Sequence, residues 1–117
     1  MGNYKELKVW QESVDFVVEI YRISTKFPPE EKFGIISQIR RAAVSIPSNI
    51  AEGATAKSTK TFSKFIAIAR GSLSEVETQL LISYKLGFII KEVYTKIIER
   101  AEEISRMLSG LQHSLNK

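Results

Sequence analysis

The chain has 117 residues, of which 44% are hydrophobic and 9% aromatic, and it carries 17 Lys and Arg against 13 Asp and Glu. This length predicts a single domain, residues 1–117, which withdraws roughly 65% of its unfolded surface from water and needs no disulfide to build one core. The absence of cysteine excludes zinc ribbons, thiol redox chemistry and cysteine proteases, and the single histidine excludes a multi-histidine metal site. We therefore expect no cofactor.

The net charge of +4 is a mild basic excess. It permits contact with nucleic acid or anionic lipid but does not by itself indicate either. No run of about 18 apolar residues predicts a membrane span, and Met1–Glu6 lacks the apolar stretch of a signal peptide. The sequence therefore predicts a cytoplasmic protein with no membrane partner.

Three breaks divide the chain, at Phe27–Pro29, at Gly53–Lys57 and at Leu86–Gly87. Ser58 is placed to cap the helix that follows the second break, and Gly87 can close the helix before the third in the left-handed conformation. Each of the four stretches repeats apolar residues at helical spacing. The sequence therefore predicts an all-α fold with helices over about 3–27, 31–53, 58–86 and 91–115.

The first helix carries two apolar stripes. One follows heptad spacing and is interpreted as the side that faces the bundle, and it consists of Leu7, Trp10, Val14, Val17, Tyr21 and Ser24. The other, on the order of 130° around the helix, consists of Val9, Phe16, Ile20, Ile23 and Phe27. In a monomer this second stripe would expose several hundred Å², more than soluble monomers usually tolerate. We therefore expect it to be buried in an interface between copies of the chain.

The second helix has an apolar seam that crosses a proline. The seam comprises Phe33, Ile36, Ile39, Ala43, Ile46 and Ile50. Because its phase continues across Pro47, which cannot donate an amide hydrogen bond, we interpret the segment as one kinked helix. A break with a new turn that begins at Pro47 is the alternative.

The third helix has a core side and a far side of small residues. The core side comprises Phe62, Phe65, Ile66, Ala69, Leu73, Val76 and Leu80, and the far side Ala67, Gly71, Ser74 and Thr78. Glycine in a helix interior costs about 1 kcal/mol relative to alanine. We therefore expect Gly71 to lie in an interface where another helix approaches closely, although it is alternatively a residue tolerated on a solvated face.

Catalytic residues are scarce. A Ser-His-Asp triad would have to use Asp15 and His113, and His113 lies in a polar tail. The Glu-x-x-His pair of a di-iron bundle and a glycine-rich phosphate loop are both missing. We therefore predict that the protein is not an enzyme.

Several polar residues lie close to the apolar seams of the second and third helices. We expect a partly buried hydrogen-bonded network in which Arg40 or Arg41 meets Glu52, Glu75 or Glu77. Asn49 would be a further member. Such a network fixes the register of packed helices and adds little net stability. A structural role is thus favoured over an active site.

A basic cluster falls at the start of the third helix. It comprises Lys57, Lys60, Lys64 and Arg70, in a stretch with no acidic residue between Glu52 and Glu75. Phosphate oxygens would be attracted there, since the helix dipole also favours anions at a helix amino terminus. Solubilising surface charge is the alternative, because aromatic residues placed for base stacking are missing.

Three segments carry a resemblance to a known family: Gln38–Gly53 (QIRRAAVSIPSNIAEG), Gly71–Leu80 (GSLSEVETQL) and Leu7–Gln11 (LKVWQ). Together they resemble the bacterial four-helix bundle proteins that are encoded in intervening sequences of 23S ribosomal RNA genes. The resemblance covers essentially the whole chain. It implies an up-and-down antiparallel four-helix bundle that assembles into a ring-like homopentamer.

The same resemblance extends to the accessory variability determinant of diversity-generating retroelements. In that relative a basic ring binds nucleic acid and a reverse transcriptase. The implied function here is a non-enzymatic homo-oligomeric scaffold whose basic surface contacts RNA or DNA. A protein-partner adaptor that does not bind nucleic acid is the alternative.

Overall fold

Four α-helices make up most of the computed structural model, which describes residues 3–117. They are α1 (Lys8–Ser24), α2 (Ile35–Ala54), α3 (Thr59–Lys85) and α4 (Lys91–Leu115), with short 3-10 turns at Tyr4–Glu6 and Pro29–Glu31. No strand occurs within residues 3–117, so the predicted all-α fold is confirmed. The first two helices begin later than predicted because a 3-10 turn precedes each of them.

Consecutive helices run antiparallel and pack side by side. Near the loop that joins α1 to α2, the Arg40 guanidinium reaches the Ser24 hydroxyl at 2.8 Å. Near the loop that joins α3 to α4, the Tyr84 and Tyr94 rings stack with their centroids 4.6 Å apart. The helix α1 also contacts α4, and this contact completes the four-helix bundle.

The two ends of the bundle differ in their connections. At one end lie the loop 25–34 between α1 and α2 and the loop 86–90 between α3 and α4. We call this the two-loop end. At the opposite end lie the first turn of α1, the loop 55–58 and the carboxyl end of α4.

The core face of α1 is the stripe that was expected to face partner copies. Phe16 and Ile20 are 0% and 1% exposed in a single chain, and Val9 and Phe27 are also buried. Ile23 is half-buried. The expectation that Val9, Phe16, Ile20 and Phe27 form an interface between copies is therefore wrong, because the chain's own fold covers them.

The stripe that was expected to face inward lies towards the outside. Leu7, Trp10, Val14 and Val17 are half-buried, and Tyr21 is 42% exposed. Only Ser24 of this set is fully buried. The two stripes were thus recognised correctly but assigned to opposite sides of the helix.

A buried serine on the core face, Ser13, contributes to the reversal. Ser13 and Ser24 are both 0% exposed and lie on the core face of α1. Their hydroxyls donate to the carbonyl oxygens of Val9 and Ile20, at 2.6 and 2.7 Å. Because these bonds satisfy the hydroxyls within the helix itself, the serines can be buried at little cost, and the core stripe looks less apolar in sequence than it is.

The helix α2 continues through Pro47 from Ile35 to Ala54. The interpretation as one helix is confirmed, and a break at Pro47 is wrong. Ile39, Ile46 and Ile50 are buried as predicted. Phe33 is not in this seam, since it precedes the helix and is 89% exposed.

The carboxyl end of α2 lies against the amino end of α3. A Cβ atom added to Gly53 would stand 2.8 Å from the Phe65 Cβ and 2.9 Å from the Phe62 Cδ1. These distances are shorter than atoms tolerate, so glycine permits the close approach of the two helices. By contrast, a Cβ added to Gly71 meets nothing within 4 Å, and this residue lies on the exposed face of α3.

Both predicted helix ends of α3 are confirmed. The Thr61 amide donates to the Ser58 hydroxyl at 3.1 Å, which caps the amino terminus. At the other end Gly87 has a φ of +82°. There the Phe88 amide donates to the Ser83 carbonyl and the Gly87 amide to the Tyr84 carbonyl, the paired bonds of a Schellman motif.

Candidate nucleic-acid interface

The three predicted lysines lie together at the amino end of α3. Lys57 precedes the capping residue Ser58, and Lys60 and Lys64 follow on the first two turns of the helix. All three side chains are exposed. Within the described chain, neither ion pair involves any of the three. Their charges are therefore available to an external anion.

Arg70 lies apart from the lysines, at the seam between α3 and α4. Its guanidinium donates to the Gln112 Oε1 at 2.7 Å, and the Gln112 Nε2 donates to the Ser63 carbonyl at 3.0 Å. The Ser63 hydroxyl also donates to the Asn116 Oδ1 at 2.8 Å. These bonds hold the carboxyl end of α4 against the first half of α3.

That contact joins two segments that contain no acidic residue, residues 53–74 and residues 104–117. We call the surface that they form together the acid-free surface. Its basic side chains, all exposed, are Lys57, Lys60, Lys64, Arg70, Arg106 and Lys117. Sequence reasoning found the first four and missed the last two. The absence of acidic residues from segment 104–117 is visible in the sequence, but the packing of that segment beside α3 is not.

The first turn of α3 strengthens the positive potential. It contains no acidic residue that would neutralise the partial positive charge at the helix amino terminus. Instead Lys60 adds its own charge there. A phosphate group placed at this terminus would relieve the repulsion among these charges.

The acid-free surface offers few groups for recognition of bases. Phe62 is buried and Phe65 is half-buried against Gly53. Base stacking on aromatic side chains is therefore not part of this surface. Its charges and hydroxyl groups suit the phosphate backbone, which carries no sequence information directly.

The predicted polar network is wrong, because its members lie along different helix seams. Arg40 ties α2 to α1, with its guanidinium 4.6 Å from the centre of the Tyr21 ring and bonded to Ser24. Arg41 donates to Ser37 within α2. Neither arginine meets an acidic residue, since the two ion pairs within residues 3–117 join Arg22 to Glu19 and Arg100 to Glu12.

The remaining members of that set have separate surroundings. The Asn49 amide donates to the Ser45 carbonyl at 2.7 Å, and the Ser45 and Ser72 hydroxyls meet at 2.9 Å between α2 and α3. Glu75 accepts from Gln79, and Glu52 is exposed at the end of α2. Asn49 thus belongs to a small cluster of neutral groups.

Glu77 lies half-buried on α3. Burial and, to a lesser extent, repulsion from the Glu102 carboxylate of α4 raise the pKa of the Glu77 carboxyl above its usual range.

Neither a metal site nor a membrane-spanning helix is found within residues 3–117. No three His, Asp or Glu side chains in this range converge as a metal site would require. No helix in it has the length and apolar character needed to cross a bilayer.

The comparisons with known proteins agree with the fold. A crystal structure of a protein of unknown function from the S23 ribosomal protein family of Bacteroides thetaiotaomicron is 30% identical in sequence to the chain. The match covers 89% of this chain and 97% of that protein, with a TM-score of 0.83. No curated protein matches the sequence. The family model described as 23S rRNA-intervening sequence protein matches residues 5–110. The chain therefore belongs to the 23S rRNA-intervening sequence protein family.

Proposed function

We propose that the protein is a non-enzymatic, self-associating helical scaffold that binds the phosphate backbone of nucleic acid through its acid-free surface. The observation that carries the proposal is the contact between residues 53–74 and 104–117, two segments without an acidic residue, which brings their exposed basic side chains onto neighbouring helices. Neutralising phosphates with such side chains releases condensed counterions, so the affinity falls as salt rises.

The test compares two triple variants of equal charge. The first reverses Lys57, Lys60 and Lys64 to Glu. The second reverses three exposed lysines near the two-loop end to Glu, namely Lys32, Lys85 and Lys91. Each reversal removes two units of positive charge, so both variants pass from a net charge of +4 to −2.

Binding is measured by fluorescence anisotropy on a labelled single-stranded RNA and on a labelled DNA duplex. The proposal predicts that the first variant loses binding and that the second retains most of it. Equal losses in both variants would show that only net charge matters. No binding by the wild-type protein at low salt would refute the nucleic-acid part.

Self-association, in a ring of five copies as the family resemblance implies, is the second part of the proposal. It is supported by the apolar side chains that a single chain leaves uncovered on α1, where Val18 and Tyr21 are each 42% exposed. The native mass of the protein and the nucleic-acid absorbance of the same chromatographic peak measure self-association and nucleic-acid binding together. A single subunit at micromolar concentration would refute self-association.

A protein-partner adaptor that does not bind nucleic acid is the second candidate. It is favoured by Leu86 and Ile90, which are 59% and 67% exposed at the two-loop end and which phosphate groups would not recognise. Co-purification of one defined polypeptide without nucleic acid would support this candidate over the first.

A further inference from the structure

A groove of about 900 Å³ separates α1 from α4 near the two-loop end. It lies between the two neighbouring helices of the bundle that contact each other least. Its apolar lining includes Ile23 of α1, Phe88 of the loop, and Val93 of α4. A volume of this size accommodates an aromatic side chain together with part of the chain that carries it.

The charges on the rim of the groove are graded along its length. Lys26 and Lys96 lie on the part of the rim nearest the two-loop end, where Arg22 is paired with Glu19 at 2.9 Å, and Glu99 and Glu103 lie further along α4. The mouth of the groove is therefore basic around an apolar floor.

Phe33 is the most exposed large apolar side chain of the described chain, with 89% of its surface accessible. The Lys32 ammonium lies 5.5 Å from the centre of the Phe33 ring. Since Phe33 is this exposed, it does not fill the groove of its own chain. It projects from the loop 25–34, also at the two-loop end.

The segment that carries Phe33 is ordered and contains two carboxylates, Glu30 and Glu31, beside Lys32. The amides of Lys32 and Gly34 donate to the carbonyls of Pro29 and Glu31, which fixes the turn. The Glu31 carboxylate is used within the chain, because it accepts from the Ile35 amide at 3.3 Å. Glu30 is exposed and is engaged in neither ion pair within residues 3–117.

We propose that Phe33 of one copy inserts into the α1–α4 groove of a second copy, with Glu30 facing the basic mouth of that groove. The inference rests on the self-association proposed above and names the contact that produces it. The complementary features are an ordered loop with a projecting ring and an exposed Glu30, and an apolar groove with Lys26 and Lys96 at its mouth. Because the loop is already fixed, little conformational entropy is lost when it binds.

This contact joins two different surfaces, so each copy both offers a Phe33 and accepts one. Repetition of such a contact closes a ring when the rotation between copies permits. In a cyclic ring the same ends of all copies share one side. The acid-free surfaces would then be displayed together, which strengthens their joint attraction for phosphate.

The first experiment uses single-cysteine variants, because the chain has no cysteine of its own. K32C, beside the intact Phe33, is mixed with I90C at the groove, and a short bis-maleimide is added. We expect crosslinked dimers from the mixture well above those from either variant alone. The matched control replaces K32C with K57C in the loop at the opposite end. Equal crosslinking in both mixtures would overturn the contact.

The second experiment measures the dissociation constant by sedimentation across a dilution series. F33A is expected to weaken self-association by roughly 10- to 100-fold, the effect of losing one buried aromatic side chain. The control I68A removes another exposed apolar side chain, on α3, and is expected to leave self-association unchanged. E30K and K96E should each weaken it, and the double variant should restore it.

The outcomes separate this inference from the proposed function. Wild-type association that F33A leaves unchanged would overturn the contact alone. A wild-type protein that stays a single subunit throughout would overturn both the contact and the proposed self-association, whereas nucleic-acid binding is measured independently of either.

Discussion

Phe16→Ala tests the reversed assignment of the two stripes on α1. Phe16 is 0% exposed within a single chain, so its truncation leaves a cavity in the core. Such changes cost about 3–5 kcal/mol, out of a total stability of about 5–15 kcal/mol for a domain. For a chain of this length that corresponds to a fall in Tm of about 10–20 °C.

The assay is thermal unfolding followed by circular dichroism at two protein concentrations that differ a hundredfold. A core defect lowers Tm by the same amount at both concentrations, whereas the loss of an interface acts through association. Val44→Ala, at an α2 position that is 40% exposed, should change stability by less than about 0.5 kcal/mol. Ile20→Val supplies a milder core change of about 0.5–1.5 kcal/mol if the first variant does not fold.

Equal effects of Phe16→Ala and Val44→Ala would refute the assignment. A loss of stability in Phe16→Ala that appears only at concentrations at which the wild-type protein is associated would also refute the assignment.

Three further changes test individual contacts by urea unfolding. Gly53→Ala should destabilise the fold by about 1–2 kcal/mol, because the steric cost of the new Cβ against the Phe65 Cβ exceeds the gain from the higher helix propensity of alanine. An unchanged urea midpoint would contradict the close approach of α2 and α3. Gly71→Ala should stabilise it by about 1 kcal/mol, since nothing lies within 4 Å of the added atom, and weakened self-association would instead reveal a partner helix at this site. Glu77→Gln should raise stability at neutral pH. The raised pKa means that the folded state binds the Glu77 proton more tightly than the unfolded chain does, and this stabilisation is lost as pH rises through the folded-state pKa. The gain should therefore vanish below about pH 4, and the same gain from the exposed Glu52→Gln would contradict the assigned cause.

The number and order of the helices were predictable from the sequence because the signals are local. Helical spacing of apolar residues identifies each segment, and Ser58 and Gly87 mark helix ends through bonds to nearby residues. The continuity of α2 through Pro47 was predictable because the apolar phase survives across it. Residues 31–34 were assigned to a helix wrongly, since a 3-10 turn and an apolar Phe33 imitate a first helical turn.

The rotation of each helix about its axis was not predictable to the same degree. Two apolar stripes on α1 compete for the core, and the buried Ser13 made the true core stripe look weaker in the sequence. The proposed pairing of Arg40 with a glutamate failed for a related reason, because spacing along one helix does not show which neighbour a side chain meets. The four basic residues of the candidate site were found from the sequence, whereas Arg106 and Lys117 required knowledge that the end of α4 packs on α3.

The most direct test of the central claim is the salt dependence of RNA binding. The affinity of the wild-type protein for a labelled single-stranded RNA is measured over a series of salt concentrations. Six phosphate contacts, one for each basic side chain of the acid-free surface, predict a slope of log affinity against log salt of about −4, and Lys64→Ala should reduce its magnitude by roughly one unit. A slope near zero, or a slope that the reversal of Lys57, Lys60 and Lys64 leaves unchanged, would contradict the account.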